Sequence, residues 1–142
     1  MIQLIRIQDA LPEGFDALRA EADAEGYRHM SRLAVEIAET PDVFVALLAA
    51  FDDGDLVGIG GLTAEPQAHP GEAYRMRRLY VAPRARRSGV ARTIANALLN
   101  EALGLSRLVT VHAGNPGAGR FWETLGFELV EGRAWSHQFV AG

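Results

Sequence analysis

Seven arginines and no acidic residue lie between Ala73 and Asn100, and four of them crowd one short stretch, Tyr80-Val-Ala-Pro-Arg-Ala-Arg-Arg-Ser-Gly-Val-Ala-Arg92. A strand that turns into a helix here aims the unpartnered N–H groups of the first helical turn, and the positive end of the helix dipole, at whatever sits beyond the turn. That is anion-binding chemistry. Gly89 lets a ligand approach the backbone closely, Ala91 keeps the first turn uncrowded, and Arg84, Arg86, Arg87 and Arg92 add positive charge, an arrangement that suits a diphosphate. The same residues also read as a solvated basic face in which Ser88 caps the helix and Gly89 makes the turn. No Gly-Lys-Ser/Thr follows, and only one glycine stands between Val81 and Leu103. The Walker phosphate loop and the Gly-x-Gly-x-x-Gly dinucleotide fingerprint are therefore both excluded.

Other charges fall at spacings that carry chemistry. Arg75 and Arg77 are two apart, hence on one face of a strand, where they would orient a substrate carboxylate or depress the pKa of an amine; pairing with acids of the N-terminal half is the equal alternative. Glu21 and Glu25 are four apart on one helical face, which either receives a cationic amine or is simply solvated. His29, His69, His112 and His137 are too scattered for a ligand motif, so no metal is expected. The absence of cysteine closes disulfide, thiolate-zinc, iron–sulfur and cysteine-nucleophile chemistry. Trp135 and Phe139 read as core, and His137 shares their face.

These residues need elements to hold them. Ile2–Ile7 alternates as a first strand, and Phe15–Ala38 has helical spacing interrupted at Gly26, giving two short helices. Val43–Phe51 and Leu56–Thr63 form a hairpin about Asp53-Gly54, and Ala73–Val81 is a fourth strand. A helix from Ser88 to Gly104 follows, then a strand at Leu108–His112, a helix at Pro116–Leu125, and closing strands at Phe127–Val130 and Ala134–Val140. Hairpins mixed with crossovers imply an α/β fold around a mixed sheet with helices on both faces.

Composition is consistent with one domain. The 142 residues are 49% hydrophobic and 23% charged, with no repeat or low-complexity linker. The net charge of −4 is unevenly spread: residues 1–72 carry 14 acids and 4 arginines, residues 73–100 carry 7 arginines alone, and residues 101–142 carry 4 acids and 3 arginines. With so acidic a remainder and no recognised motif, a nucleic-acid partner is not expected. The longest apolar run, Val43–Phe51, is half a bilayer span, and the N-terminus lacks the pattern of a secretory leader. No membrane association and a cytoplasmic location are the expectations.

Two stretches resemble a known family. Arg78-Leu-Tyr-Val-Ala-Pro83 followed by Arg86-x-x-Gly89-x-Ala91 resembles the acyl-CoA pyrophosphate motif, Gln/Arg-x-x-Gly-x-Gly/Ala, of the GNAT superfamily of N-acetyltransferases. Asn115-x-x-Ala118-x-x-Phe121-Trp122-x-x-Leu125-Gly126-Phe127 resembles its second signature, Asn-x-x-Ala-x-x-Phe-Tyr-x-x-Leu-Gly-Phe. The resemblance implies a mostly antiparallel mixed sheet whose fourth and fifth strands, Ala73–Val81 and Leu108–His112, splay apart around acetyl-CoA. It implies that Leu79, Tyr80 and Val81 pair with the pantetheine arm, and that the N–H groups of Arg87, Ser88, Gly89, Val90 and Ala91, beside Arg86 and Arg92, take the diphosphate. Asn115, Phe121 and Trp122 would approach from the other side. The reaction implied is direct attack by a primary amine, of a small molecule or a protein terminus, with a strand N–H near Val81 stabilising the oxyanion.

Two departures from the family pattern stand out. Trp122 occupies the place of the tyrosine that protonates the departing thiolate, and an indole N–H is no acid at neutral pH. Tyr80, Tyr74 and His112 are the substitutes, His112 because its strand should open on the cleft. Where some members hold a glutamate base, this chain has Arg75. Glu21, Glu25, Arg75 and Arg77 are the candidates for binding the acceptor. A non-catalytic acyl-CoA-binding or regulatory module is the alternative to an enzyme, and a homodimer is in keeping with many relatives.

Overall fold

A computed structural model describes residues 1–142. In chain order the elements are β1 (Ile2–Arg6), α1 (Phe15–Ala24), α2 (His29–Glu39), β2 (Phe44–Asp52), β3 (Asp55–Ala64), β4 (Ala73–Val81), α3 (Val90–Leu103), β5 (Leu108–Val111), α4 (Pro116–Thr124), β6 (Glu128–Leu129) and β7 (His137–Val140). The seven strands form one sheet in the order β1-β2-β3-β4-β5-β7-β6, antiparallel except where β4 runs parallel to β5. The predicted mixed sheet is therefore observed. Asp53 and Gly54 both have positive φ, 50° and 87°, the turn that the twist of a two-residue hairpin favours.

Each face of the sheet has its own core. On one, Phe15 and Leu18 of α1 and Met30 and Leu33 of α2 pack with Leu47, Ile59 and Tyr80. On the other, Val90, Ile94 and Leu98 of α3 and Trp122 of α4 pack with Leu48, Leu62, Met76 and Val109. The approach of α3 depends on bare backbone beneath it: a Cβ on Gly60 would stand 2.7 Å from Ile94 Cγ2. Close packing of helix on sheet is thus written into β3 as glycine.

Two features of β4 shape the centre of the molecule. Its pairing with β3 jumps from Arg77↔Gly61 to Tyr80↔Ile59, so Arg78 and Leu79 together face Gly60 in a bulge, with Arg78 at φ 60°. On its other edge β4 pairs with β5 at only three positions, Ala73↔Leu108, Tyr74↔Val109 and Arg75↔Thr110. Beyond Arg75 the strands part, and the edge from Met76 to Val81 has no strand beside it on that side.

Some boundaries differ from the sequence expectation. The helix α3 begins at Val90 with Gly89 as its cap at φ 83°, not at Ser88, whose hydroxyl donates to the Ala85 carbonyl at 2.5 Å. The serine spends its proton backwards, into the turn, because a left-handed glycine already redirects the chain. The last strand starts at His137 rather than Ala134. Before it, Trp135 is buried and donates Nε1–H to Gln138 at 3.0 Å, and Ser136 bonds the Val111 carbonyl through its N–H at 3.2 Å.

Candidate active site

The turn from β4 into α3 carries the densest set of free donors. Arg86 N–H bonds the Pro83 carbonyl, and the next backbone donor with a protein acceptor is Thr93, to Gly89. The N–H groups of Arg87, Ser88, Gly89, Val90, Ala91 and Arg92 thus have no backbone acceptor. Arg87 and Gly89 both take left-handed φ, 68° and 83°, and residues 86–89 are exposed. A Cβ on Gly89 would meet nothing within 4 Å. Six free amides, three ahead of a 14-residue helix and three in its first turn, with its dipole behind them, suit an anion of about the size of a diphosphate.

The arginines around this turn are unequal. Arg84 pairs with Glu21 at 2.6 Å and donates to the Leu56 carbonyl at 3.1 Å. Arg86 forks onto Glu25 at 2.6 and 2.8 Å, donates Nε–H to the Val81 carbonyl, and lies 5.6 Å from the centre of the Tyr80 ring. Arg92 donates to Thr124 Oγ1 at 2.9 Å, tying α3 to the end of α4. Glu21 and Glu25 do share a helical face, and that face clasps the arginines of the turn.

Tyr80 OH donates to Glu25 at 2.5 Å. Burial, together with the Glu25 carboxylate, pushes the phenol's pKa well above its ordinary value, making it a poor proton donor. Bonds from Arg86, then from Tyr80, hold the Glu25 carboxyl below its usual range. His112 lies one residue past the end of β5 and is exposed. Tyr74 is half-buried and packs on the α3 side of the sheet, below the point where β4 and β5 part.

At that parting lies a buried ionic group. Glu65, with a side chain 0% exposed, accepts from Arg75 Nε at 2.7 Å, Thr110 Oγ1 at 2.7 Å and the Gln67 N–H at 2.9 Å. Burial works against its charge, but these three donors outweigh it and hold the carboxyl below its usual range. Arg75 is thus committed to Glu65, the pairing weighed against a substrate role. Glu65 itself was not singled out in the sequence, since an isolated glutamate in a loop gives no sign of its burial. Arg77 has no such partner.

From the other strand, Asn115 caps α4, its side-chain oxygen accepting from the Ala118 N–H at 2.9 Å. Phe121 is half-buried, and Trp122 is buried edge-to-face against Phe121 and Phe127, with ring centres 5.0 and 5.4 Å apart. His137 is buried between Ser136 Oγ and Glu123 at 2.8 and 2.9 Å, a structural link between β7 and α4. No group of three or more metal-ligating carboxylates and histidines is present. Two clefts elsewhere, about 470 Å³ beside Arg133 and Trp135 and about 400 Å³ beside Ile37 and Phe44, include no residue of the turn.

Comparisons with known proteins converge on one family. A model of the acetyltransferase (GNAT) family matches residues 7–127. No curated protein matches the sequence significantly. Among solved structures, a candidate acetyltransferase from Exiguobacterium sp. 255-15 superposes with a TM-score of 0.88 at 21% identity, covering 99% of this chain and 93% of that one. Ard1 from Thermoplasma volcanium gives 0.73 at 16% identity, covering 99% and 98%. An aminoglycoside 6'-N-acetyltransferase complexed with coenzyme A gives 0.69 at 16% identity, covering 97% and 93%. At these identities the likeness is one of fold. No helix is long and apolar enough to cross a membrane.

Proposed function

The chain belongs to the GNAT family of acetyltransferases, and from that membership we propose that residues 1–142 act as one acetyl-CoA-dependent N-acetyltransferase domain. The acceptor is a primary amine, of a small molecule or a protein terminus. The observation that carries the reading is the run of six free amides from Arg87 to Arg92 at the head of α3, beside the open edge of β4. Bound acetyl-CoA supplies an acyl thioester whose carbonyl carbon forms a C–N bond as its C–S bond breaks, the amine losing a proton and CoA leaving as thiol.

The residues of the chain divide the remaining work. The amides of Arg87 to Arg92, with the Arg87 and Arg92 guanidinium groups nearby, hold the diphosphate. Arg86, clasped by Glu25, fixes the turn in the open shape those amides need. The free edge at Leu79, Tyr80 and Val81 offers rungs to the pantetheine amides, and a strand N–H near Val81 polarises the acyl carbonyl. Asn115, Phe121 and Trp122 form the opposite wall. His112, exposed beside the splayed tip of β5, is the group that returns a proton to sulfur.

Calorimetry and thermal melting with acetyl-CoA, followed by thiol release over a panel of amines, test the proposal. At a hundred times the dissociation constant, the ligand is expected to stabilise the fold by about 2.7 kcal/mol, a rise of several degrees in melting temperature. No heat and no shift at millimolar acetyl-CoA would remove the proposal's basis. Trp122, in place of a phenolic acid, favours a second reading, a module that binds acyl-CoA without turnover. Binding with no thiol release on any amine would establish that one.

A further inference from the structure

Three arginines lie within four positions of β4, and two are neutralised in pairs. Arg75 forks onto Glu65 at 2.7 and 3.2 Å, and Arg78 forks onto Glu36 at 2.8 and 2.9 Å. Arg77, between them, has no carboxylate. Its one polar contact is Nη1 to Thr63 Oγ1 at 3.5 Å, the outer limit of a hydrogen bond, and its Nε is buried with no acceptor. The only other buried side-chain nitrogen without a partner is Nδ1 of His29, and both residues feel the charge of Arg78. Burial, then Arg78, lower the Arg77 pKa, and the more distant carboxylates of Glu36 and Glu65 offset this only in part.

Location adds to the chemistry. Arg77 follows the last rung between β4 and β5, at Arg75↔Thr110, and so lies on the open edge, two residues before the stretch proposed to carry the thioester. It pairs with Gly61 and reaches toward Thr63, on the sheet face that α1 and α2 cover, away from α3. A half-buried guanidinium with an unmet donor is a fork lacking its anion, and the anion that matches the fork is a carboxylate. We infer that Arg77 receives a carboxylate of the acceptor, so that the substrates are amines that also carry a carboxylate. The inference rests on the acyl-transfer reading above. A strand rise of about 3.3 Å per residue puts the Arg77 backbone no more than about 7–13 Å from Leu79–Val81, a span that the arginine side chain and a small acceptor can bridge between them.

Thiol release is measured with L-amino acids against their primary carboxamides, and with short peptides whose residue beside the terminal amine is Asp or Glu against the Asn and Gln counterparts. In one set the carboxylate member is expected to be preferred ten-fold or more in kcat/KM. Arg77→Gln collapses that preference, and Arg77→Lys, which keeps the charge without the fork, retains part of it and carries the test where Arg77→Gln fails to fold. A preference in the first set identifies free amino-acid-like acceptors, and one in the second identifies acidic peptides. Equal rates within every pair, or no turnover of any carboxylate acceptor by protein that does acetylate an amine without a carboxylate, overturns the inference alone. Failure to bind acetyl-CoA overturns the acyl-transfer reading and the inference with it.

Discussion

Gly89 and Trp122 bear on the proposed cofactor site in different ways. At φ 83° and with open space where a Cβ would project, Gly89 resists substitution through its backbone alone. Gly89→Ala is expected to cost about 1–2 kcal/mol and to lower acetyl-CoA affinity in calorimetry, because relief of the strain rotates the free amides away from their common focus. Trp122 fills a buried aromatic site and has no acidic proton to give. With His112 returning the proton, His112→Ala is expected to lower kcat on a working amine by about 10²-fold, and Trp122→Tyr to restore part of that loss in the double variant; thiol release measures both. Glycine, small residues and arginines in one short stretch also suit a solvated basic face; with the likeness to a family motif to favour the phosphate reading, the candidate cradle residues were legible. The partners of the charges were not. Glu25 and Arg86 are brought together by the packing of α1 on the sheet, and nothing in their local sequence marks the pair.

At the scale of elements, α3 lies as near the sheet as it does because β3 offers glycine beneath it. Gly60→Ala forces a methyl group to within 2.7 Å of Ile94 and 3.2 Å of Leu98, and is expected to destabilise the fold by about 1–3 kcal/mol in denaturant titration. Since the same displacement moves the head of α3, acetyl-CoA affinity should fall along with stability. The body of this helix was plain in the periodicity of Ile94, Leu98 and Ala102, which face one core. Its cap was misplaced by one residue, since a serine ahead of a helix looks the same whether its hydroxyl caps forward or bonds back to Ala85. The final strand was overextended for a related reason. Ala134 to Ser136 have strand-like neighbours, but the Trp135 indole is satisfied locally by Gln138. The bulge at Arg78 left no trace in the alternation, because it is set by pairing with Gly60 across the sheet.

The molecule as a whole is two blocks of sheet, β1–β4 and β5–β7, whose direct seam is three residue pairs and one buried carboxylate, with the core under α3 spanning both. Glu65→Gln leaves the Arg75 charge without its counter-ion and is expected to cost about 3 kcal/mol, read as a lower midpoint in urea. The pH dependence has a definite sign. The carboxyl's pKa is lowered on folding, so its contribution is complete above about pH 4.5 and is lost as pH falls through the folded value. Wild-type protein should therefore weaken in acid more steeply than Glu65→Gln, and melting curves across pH 2–6 compare the two. A guest wedged between the tips of the two blocks would press on that seam at its narrow end, where Arg75, Glu65 and Thr110 meet. The grip on such a guest should accordingly hold through mild acid and slacken only below about pH 4.5, where that carboxyl takes up its proton.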